Sequence, residues 1–117
     1  MKNPDDPDNL GRYVAGAIAF AGRPDLTWLV AEDLVKKLFA EWKSLTSFAG
    51  DLPPAPATGY RGCFLRYNDD VELFAFGGVV TMMTRVQTES RTDKARSIER
   101  LILDSSPEGM LPAEARF

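Results

Sequence analysis

The spacing of the apolar residues changes near residue 60 of this 117-residue chain. Before that point, apolar side chains recur at every third or fourth residue, as in amphipathic helices. From Tyr60 to Val86 the chain instead has short runs of strand-forming residues separated by turn-forming ones. Helical spacing returns after residue 90. These changes of period within the length of one domain predict a two-layer α+β fold.

Two helices are predicted before the change of period. The first begins after a cap at Asp8 or Asn9 and ends at Gly22 and Pro24, because glycine and proline terminate helices. Its apolar stripe consists of Leu10, Tyr13, Val14, Ala17, Ile18 and Ala21. The second begins at Asp25 or Thr27, ends near Leu45, and has a stripe of Ala31, Leu34, Val35, Leu38, Trp42 and Leu45.

The second helix is expected to be held by burial of its apolar stripe. Its opposite face has Glu32 four residues before Lys36, but such a pair contributes only about 0.2–0.5 kcal/mol. Burying one large apolar side chain contributes about 1.5–3 kcal/mol. Trp28, Phe39 and Trp42 are therefore interpreted as core or a dimer face, and not as a cofactor cage.

The middle of the chain predicts antiparallel strands. Residues 60–67 and 71–76 form a hairpin around the turn Asn68-Asp69-Asp70. Gly77-Gly78 admits two interpretations, a two-residue turn into a third strand over 79–86 or a bulge in one bent strand. The expected sheet is thus a hairpin or a three-stranded antiparallel meander.

A last helix is expected after the capping pattern Ser90-Arg91-Thr92-Asp93. Its buried stripe is Ala95, Ile98, Leu101 and Ile102, and it ends before Pro107. The predicted order is α-α-β-β-(β)-α, with an N-terminal helical pair and a C-terminal helix.

One domain is predicted over residues 9–106. Residues 1–8, with three aspartates and two prolines, are expected to be a flexible acidic arm, and residues 107–117 a tail. The proline-rich segment 46–59 is interpreted as a loop crossing one face of the domain. The chain lacks a transmembrane-length apolar segment and a basic signal-peptide start, so a cytoplasmic protein without membrane contact is expected.

The residues that are missing exclude several chemistries. The chain has no histidine and a single cysteine, Cys63, which excludes Ser-His-Asp and Cys-His catalysis, Cys/His metal sites and an internal disulfide. Cys63 is interpreted as a small buried hydrophobe; a reactive thiol would need Arg61 or Arg66 beside it. The acidic turn at 68–70 lacks the ligand spacing of a calcium loop. No metal and no cofactor are predicted.

Arginine is concentrated in the second half of the chain. Residues 60–117 contain seven arginines and one lysine. Arg85, Arg91, Arg96 and Arg100 are candidate partner-binding residues, on a solvated face or facing an acidic protein. The net charge of −3 opposes nucleic-acid binding.

These features favour a small cytoplasmic interaction protein without catalytic activity. The apolar residues exceed what one small core needs, so self-association as a homodimer is expected. The alternative is a domain, with or without catalysis, that binds an anionic small molecule between sheet and helices. In that case Tyr60, Arg61, Arg66 and Tyr67 would orient the ligand.

Overall fold

The computed structural model describes residues 13–19, 24–54, 56, 59–67 and 70–115. Over these residues the order of elements is β-β-α-β-β-β-β-α. The strands are β1 (Tyr13–Ala17), β2 (Leu26–Val30), β3 (Cys63–Tyr67), β4 (Val71–Phe76), β5 (Val79–Thr84) and β6 (Thr88–Thr92). The helices are α1 (Glu32–Lys43) and α2 (Ser97–Asp104), with 3-10 turns at Lys94–Arg96 and Ala113–Ala115. The expected arm at 1–8, the turn residues 68–69 and the last two residues of the tail lie outside the described residues.

The strands form one antiparallel sheet in the order β2-β1-β3-β4-β5-β6. One face of the sheet, the helix face, packs against both helices. Its core residues are Ala15, Ala17, Trp28, Cys63, Leu65, Leu73, Ala75 and Val80. The opposite face, the outer face, carries Val14, Gly16, Thr27, Leu29, Phe64, Arg66, Phe74, Thr81 and Met83, because side chains alternate along a strand. The domain is α+β, but the predicted order with a helical pair and a three-stranded meander is wrong.

The first predicted helix is wrong because residues 13–17 form β1, paired with β2 on one side and β3 on the other. The apolar residues of this segment fit a period of two as well as a helical period. Gly16 shows why the strand is formed: a Cβ there would collide with the ring of Phe64 and lie 2.7 Å from the carbonyl oxygen of Leu26. Glycine in a strand permits such a close approach. Pairing of β1 with both β2 and β3 therefore outweighs the local helical pattern.

The second predicted helix begins too early, because its first residues form β2. Thr27, Trp28 and Val30 belong to residue types that are common in strands. From Glu32 onward the helical prediction is confirmed, since Val35, Leu38 and Trp42 are buried along one side of α1. Glu32 and Lys36 form the expected exposed pair, 3.8 Å apart.

The predicted hairpin is confirmed as β3 and β4, with Tyr67 opposite Val71. Gly77 and Gly78 form the two-residue turn between β4 and β5, with φ of 63° and 91°. Positive φ at both central residues is the requirement of a type I′ hairpin turn, which glycine meets without steric cost. Of the two interpretations of this glycine pair, the structure has the turn.

Of the predicted cap of the last helix, Ser90–Thr92 belong to a sixth strand, whereas Asp93 does accept hydrogen bonds from the backbone of α2. Residues 88–92 pair with β5, and Ser47 forms a bridge to Arg91 on the other side. This strand contains no apolar residue, so its formation depends on backbone pairing and leaves no hydrophobic pattern in the sequence. The last helix, α2, begins only at Ser97 and buries Ile98.

The proline-rich segment and the tail both contact the domain. Pro53 lies against the β4–β5 turn, since a Cβ on Gly77 would be 3.0 Å from its ring. In the tail, Leu111 and Ala115 are buried in the core. Within the described ranges, no helix is long and apolar enough to cross a membrane.

Candidate functional site

Among the described residues, the buried polar side chains are concentrated between α2 and the sheet. We call this group the Glu99 cluster; it consists of Tyr60, Cys63, Asp93, Arg96 and Glu99. The carboxylate of Glu99 is fully buried. It accepts hydrogen bonds from Arg96 Nε at 2.9 Å and Nη2 at 3.0 Å. The hydroxyl of Tyr60 donates a further bond at 2.5 Å. Both oxygens of this carboxylate are therefore occupied.

A strained turn places Arg96 against Glu99. Ala95 and Arg96 have φ of 57° and 55°, a left-handed conformation that costs a non-glycine residue about 1–3 kcal/mol. Asp93 opposes this cost by capping α2, because its two carboxylate oxygens accept the backbone N–H groups of Ile98 (2.8 Å) and Glu99 (3.0 Å). Burial raises the pKa of Asp93, and the two N–H bonds lower it by less.

The other members of the cluster are held in their neutral forms. Burial raises the pKa of the Cys63 thiol well above its ordinary value, and the negative charge of Glu99 adds to the shift. Burial likewise raises the pKa of Tyr60. Cys63 Sγ lies 3.6 Å from the carbonyl oxygen of Glu99. A protonated, enclosed thiol is a poor nucleophile, so the geometry indicates a structural role for the cluster.

The four predicted ligand residues occupy different parts of the domain. Tyr60 belongs to the Glu99 cluster. Arg66 is on the outer face, where its guanidinium lies 4.4 Å from the centre of the Phe64 ring and 3.0 Å from Glu72. Tyr67 is on the helix face. Arg61 is half-buried, and its Nε has no hydrogen-bond partner among the described residues. Ligand binding at these residues stays a prediction.

The four candidate partner-binding arginines are also dispersed. Arg85 is exposed and lies 2.7 Å from Asp70. Arg91 stacks on Trp42, 4.4 Å from the ring centre, and donates to the carbonyl oxygen of Trp42 at the end of α1. Arg96 precedes α2, whereas Arg100 is exposed on the helix itself. Arg91 and Arg96 thus stabilise elements of the fold, while Arg85 and Arg100 face solvent.

A groove of about 380 Å³ runs along one side of α1. The rings of Tyr13 and Tyr67 are stacked in it, with centroids 5.1 Å apart. Phe39 stands edge-on to Tyr67 at 6.5 Å. Lys36 and Lys43 also line this aromatic groove, and both are exposed. Tyr67 is the member of the predicted ligand set that lines it.

The two edges of the sheet differ. Beside β6, the segment 46–48 covers the edge: Phe48 N–H donates to the carbonyl oxygen of Ser90 at 3.0 Å, and Thr92 N–H donates to that of Thr46 at 2.8 Å. The opposite edge is formed by β2. Over the described ranges, no segment pairs with the outer side of β2.

The direction of the backbone groups on β2 follows from the pairing of β1. Ile18 N–H donates to the carbonyl oxygen of Gly62, on the β3 side. Backbone groups alternate between the two neighbours of an antiparallel strand. The backbone N–H and C=O groups of even-numbered residues of β1 therefore point toward β3. Those of odd-numbered residues point toward β2, so that Ala15 forms its backbone hydrogen bonds with Trp28, the residue opposite it.

The backbone N–H and C=O groups of Thr27 and Leu29 consequently point to the side of β2 opposite β1, in the plane of the sheet. No described residue forms a hydrogen bond to them. Both side chains are exposed, Leu29 to 64%. The same alternation rule holds at the other edge, where Ser90 and Thr92 are the residues that bond to segment 46–48. We call the outward side of Thr27 and Leu29 the β2 edge.

Sequence reasoning missed Glu99 and the β2 edge. Glu99 could have been noticed, since it falls on the buried side of the last helix together with Ile98 and Ile102. The β2 edge had no local pattern to indicate it, because an edge is defined by the order of strands. In the described part of the chain, no group of three acidic or cysteine side chains could hold a metal ion. Comparison with known protein families, curated proteins and solved structures finds no match.

Proposed function

We propose that this chain is a non-catalytic, cytoplasmic protein-interaction module that binds an extended polypeptide segment along the β2 edge, a homodimer being one such complex. The observation that carries this proposal is the contrast between the two sheet edges. One edge is covered by residues 46–48, whereas the backbone groups of Thr27 and Leu29 have no described partner. A strand added there would receive main-chain hydrogen bonds in regular register.

The composition of β2 supports binding at this edge. Exposed edge strands are commonly protected by charged residues, prolines or bulges. The five residues Leu26–Val30 contain neither a charge nor a proline. An extended, uncharged edge without such protection is suited to pairing with another strand.

The Glu99 cluster supports a non-catalytic role. Catalytic acids and bases need a polar atom that can reach a substrate. The two oxygens of Glu99 are occupied by Arg96 and Tyr60, and those of Asp93 by two backbone N–H groups in the first turn of α2. The single buried thiol, Cys63, supports a cytoplasmic location, because disulfides are rare in reducing compartments.

Selection of peptides from a random display library tests the proposal. We expect enriched peptides to bind the wild-type chain and to lose binding to Thr27→Pro, which removes an outward N–H group while leaving the bonds to β1 intact. Thr27→Val is the matched control and should retain binding, because it keeps the N–H group. Enriched peptides that bind all three proteins equally would exclude the β2 edge as the binding site.

The aromatic groove favours a second candidate function, the binding of a planar aromatic anion. Tyr13, Phe39 and Tyr67 offer aromatic contacts, and Lys43 offers a positive charge to an acidic group. Glu32, which lines the same groove, is paired with Lys36. Small-molecule sites combine aromatic and apolar side chains with a small number of polar or charged groups.

A fluorescence titration with 1-anilinonaphthalene-8-sulfonate tests this second function. Lys43→Gln should weaken binding about five-fold, which corresponds to roughly 1 kcal/mol for one exposed ion pair. Lys37→Gln on the same helix is the control, because Lys37 is exposed and does not line the groove. Equal affinities for the two variants would exclude the groove as the site.

A further inference from the structure

We infer that the strand added to the β2 edge is β2 of a second copy, antiparallel, with the two-fold axis passing through Trp28. This inference rests on the proposed function of the β2 edge. It names the partner and the register of pairing. The resulting dimer would have one continuous antiparallel sheet, with the helix layers of both copies on the same side.

The register follows from the outward backbone groups. In an antiparallel pair, opposite residues alternate between hydrogen-bonded and non-hydrogen-bonded positions. With the axis at Trp28, Thr27 lies opposite Leu29 of the second copy and Leu29 lies opposite its Thr27. The outward groups of both residues then face each other and form about four hydrogen bonds between the copies.

The two neighbouring symmetric registers would align fewer residues of β2 with β2 of the second copy. An axis at Thr27 would pair Leu29 with Asp25 of the second copy, and an axis at Leu29 would pair Thr27 with Ala31. Each of these shifts moves one end of the pairing beyond β2, which spans Leu26–Val30. The axis at Trp28 aligns all five residues of both strands.

The side chains also match in this register. An antiparallel pair related by a two-fold axis normal to the sheet places like faces together. Leu29, which is 64% exposed, would lie on the outer face diagonally across from Leu29 of the second copy. Diagonal neighbours are about 7–8 Å apart at their Cα atoms, within reach of leucine side chains. The apolar exposure of Leu29 therefore decreases on pairing.

Light scattering coupled to size-exclusion chromatography tests the choice of partner. We expect the wild-type chain and Thr27→Val to have twice the 12.9 kDa mass of one chain at tens of micromolar. Thr27→Pro should have the mass of one chain at the same concentration. Each copy then lacks the N–H group of residue 27, which would donate a hydrogen bond to the other copy. A wild-type chain that stays monomeric overturns the inference, as does a Thr27→Pro dimer.

Cysteine cross-linking tests the register with substitutions that leave the backbone unchanged. In a Cys63→Ala background, Thr27→Cys and Leu29→Cys chains are prepared separately and oxidised alone or mixed. Directly opposite residues have Cα atoms about 5.5 Å apart, within disulfide range, whereas diagonal residues are about 7–8 Å apart and beyond that range. Only the mixture should form disulfide-linked dimers.

The cross-linking pattern identifies each alternative. Dimers from Thr27→Cys alone would indicate an axis at Thr27, and dimers from Leu29→Cys alone an axis at Leu29; either result overturns the inferred register. If the chain is monomeric but displayed peptides still bind the β2 edge, the second copy is the wrong partner and the proposed function stands. If displayed peptides also ignore the edge, the proposed function fails with it.

Discussion

Replacing Arg96 by methionine should destabilise the domain through the charge it leaves behind. Glu99 is fully buried, while the side chain of Arg96 is 37% exposed and donates two hydrogen bonds to it. Removing one partner of a fully buried ion pair costs about 3–5 kcal/mol. Because Arg96 is in part solvated, we expect about 2–3 kcal/mol, a large share of the roughly 5–15 kcal/mol that stabilises a domain.

Urea denaturation followed by circular dichroism measures this loss as a change in the free energy of unfolding. Lys94→Met is the control, because it removes one positive charge from the same turn at an exposed position. Adding Glu99→Gln to Arg96→Met should recover about 1 kcal/mol, because the buried group is then neutral and still accepts from Tyr60. A stability of Arg96→Met within about 0.5 kcal/mol of wild type would refute this reasoning, since that is the ordinary range for surface substitutions.

Two further predictions concern the buried thiol and the strand glycine. Stability should fall as the pH rises above 9.0, the ordinary pKa of a thiol, because Cys63 ionises in the unfolded chain while burial keeps it protonated in the fold. In Cys63→Ala the free energy of unfolding should therefore decline less steeply, by about 1.4 kcal/mol per pH unit. Urea titrations at several alkaline pH values measure this decline, and equal slopes for Cys63→Ala and wild type would contradict the prediction. Gly16→Ala should lower the free energy of unfolding by about 1–3 kcal/mol in the same titration at neutral pH. The reason is that its Cβ would collide with the ring of Phe64 and approach the carbonyl oxygen of Leu26. A loss below about 0.5 kcal/mol would be inconsistent with that packing.

Local sequence was sufficient where one pattern dominates. The helical stripe of α1 and the β3–β4 hairpin were predicted because their side-chain periodicity has a single interpretation. Residues 13–17 were misassigned because their small and apolar side chains fit both periods. Residues 90–92, which belong to β6, were interpreted as part of a helix cap because polar hydroxyl residues also form caps. In both cases the choice was made by strands distant in sequence.

The candidate sites depended still more on tertiary structure. Tyr60 and Glu99 are 39 residues apart and meet only because α2 packs over the start of β3. Arg66 and Tyr67 are adjacent in sequence but lie on opposite faces of the sheet, since side chains alternate along a strand. A proposed ligand set chosen from neighbouring residues could not account for this separation.

The sequence by itself determined which chemistry is available, because a chain without histidine and with one cysteine has neither imidazole catalysis nor an internal disulfide in any fold. It also determined the helix α1 and the central hairpin, whose periodicities are local. The tertiary structure alone decided which strand lies at each edge of the sheet. An edge is the absence of a neighbour, and whether the backbone groups of Thr27 and Leu29 meet another strand depends on the order β2-β1-β3-β4-β5-β6 and not on residues beside them in the chain.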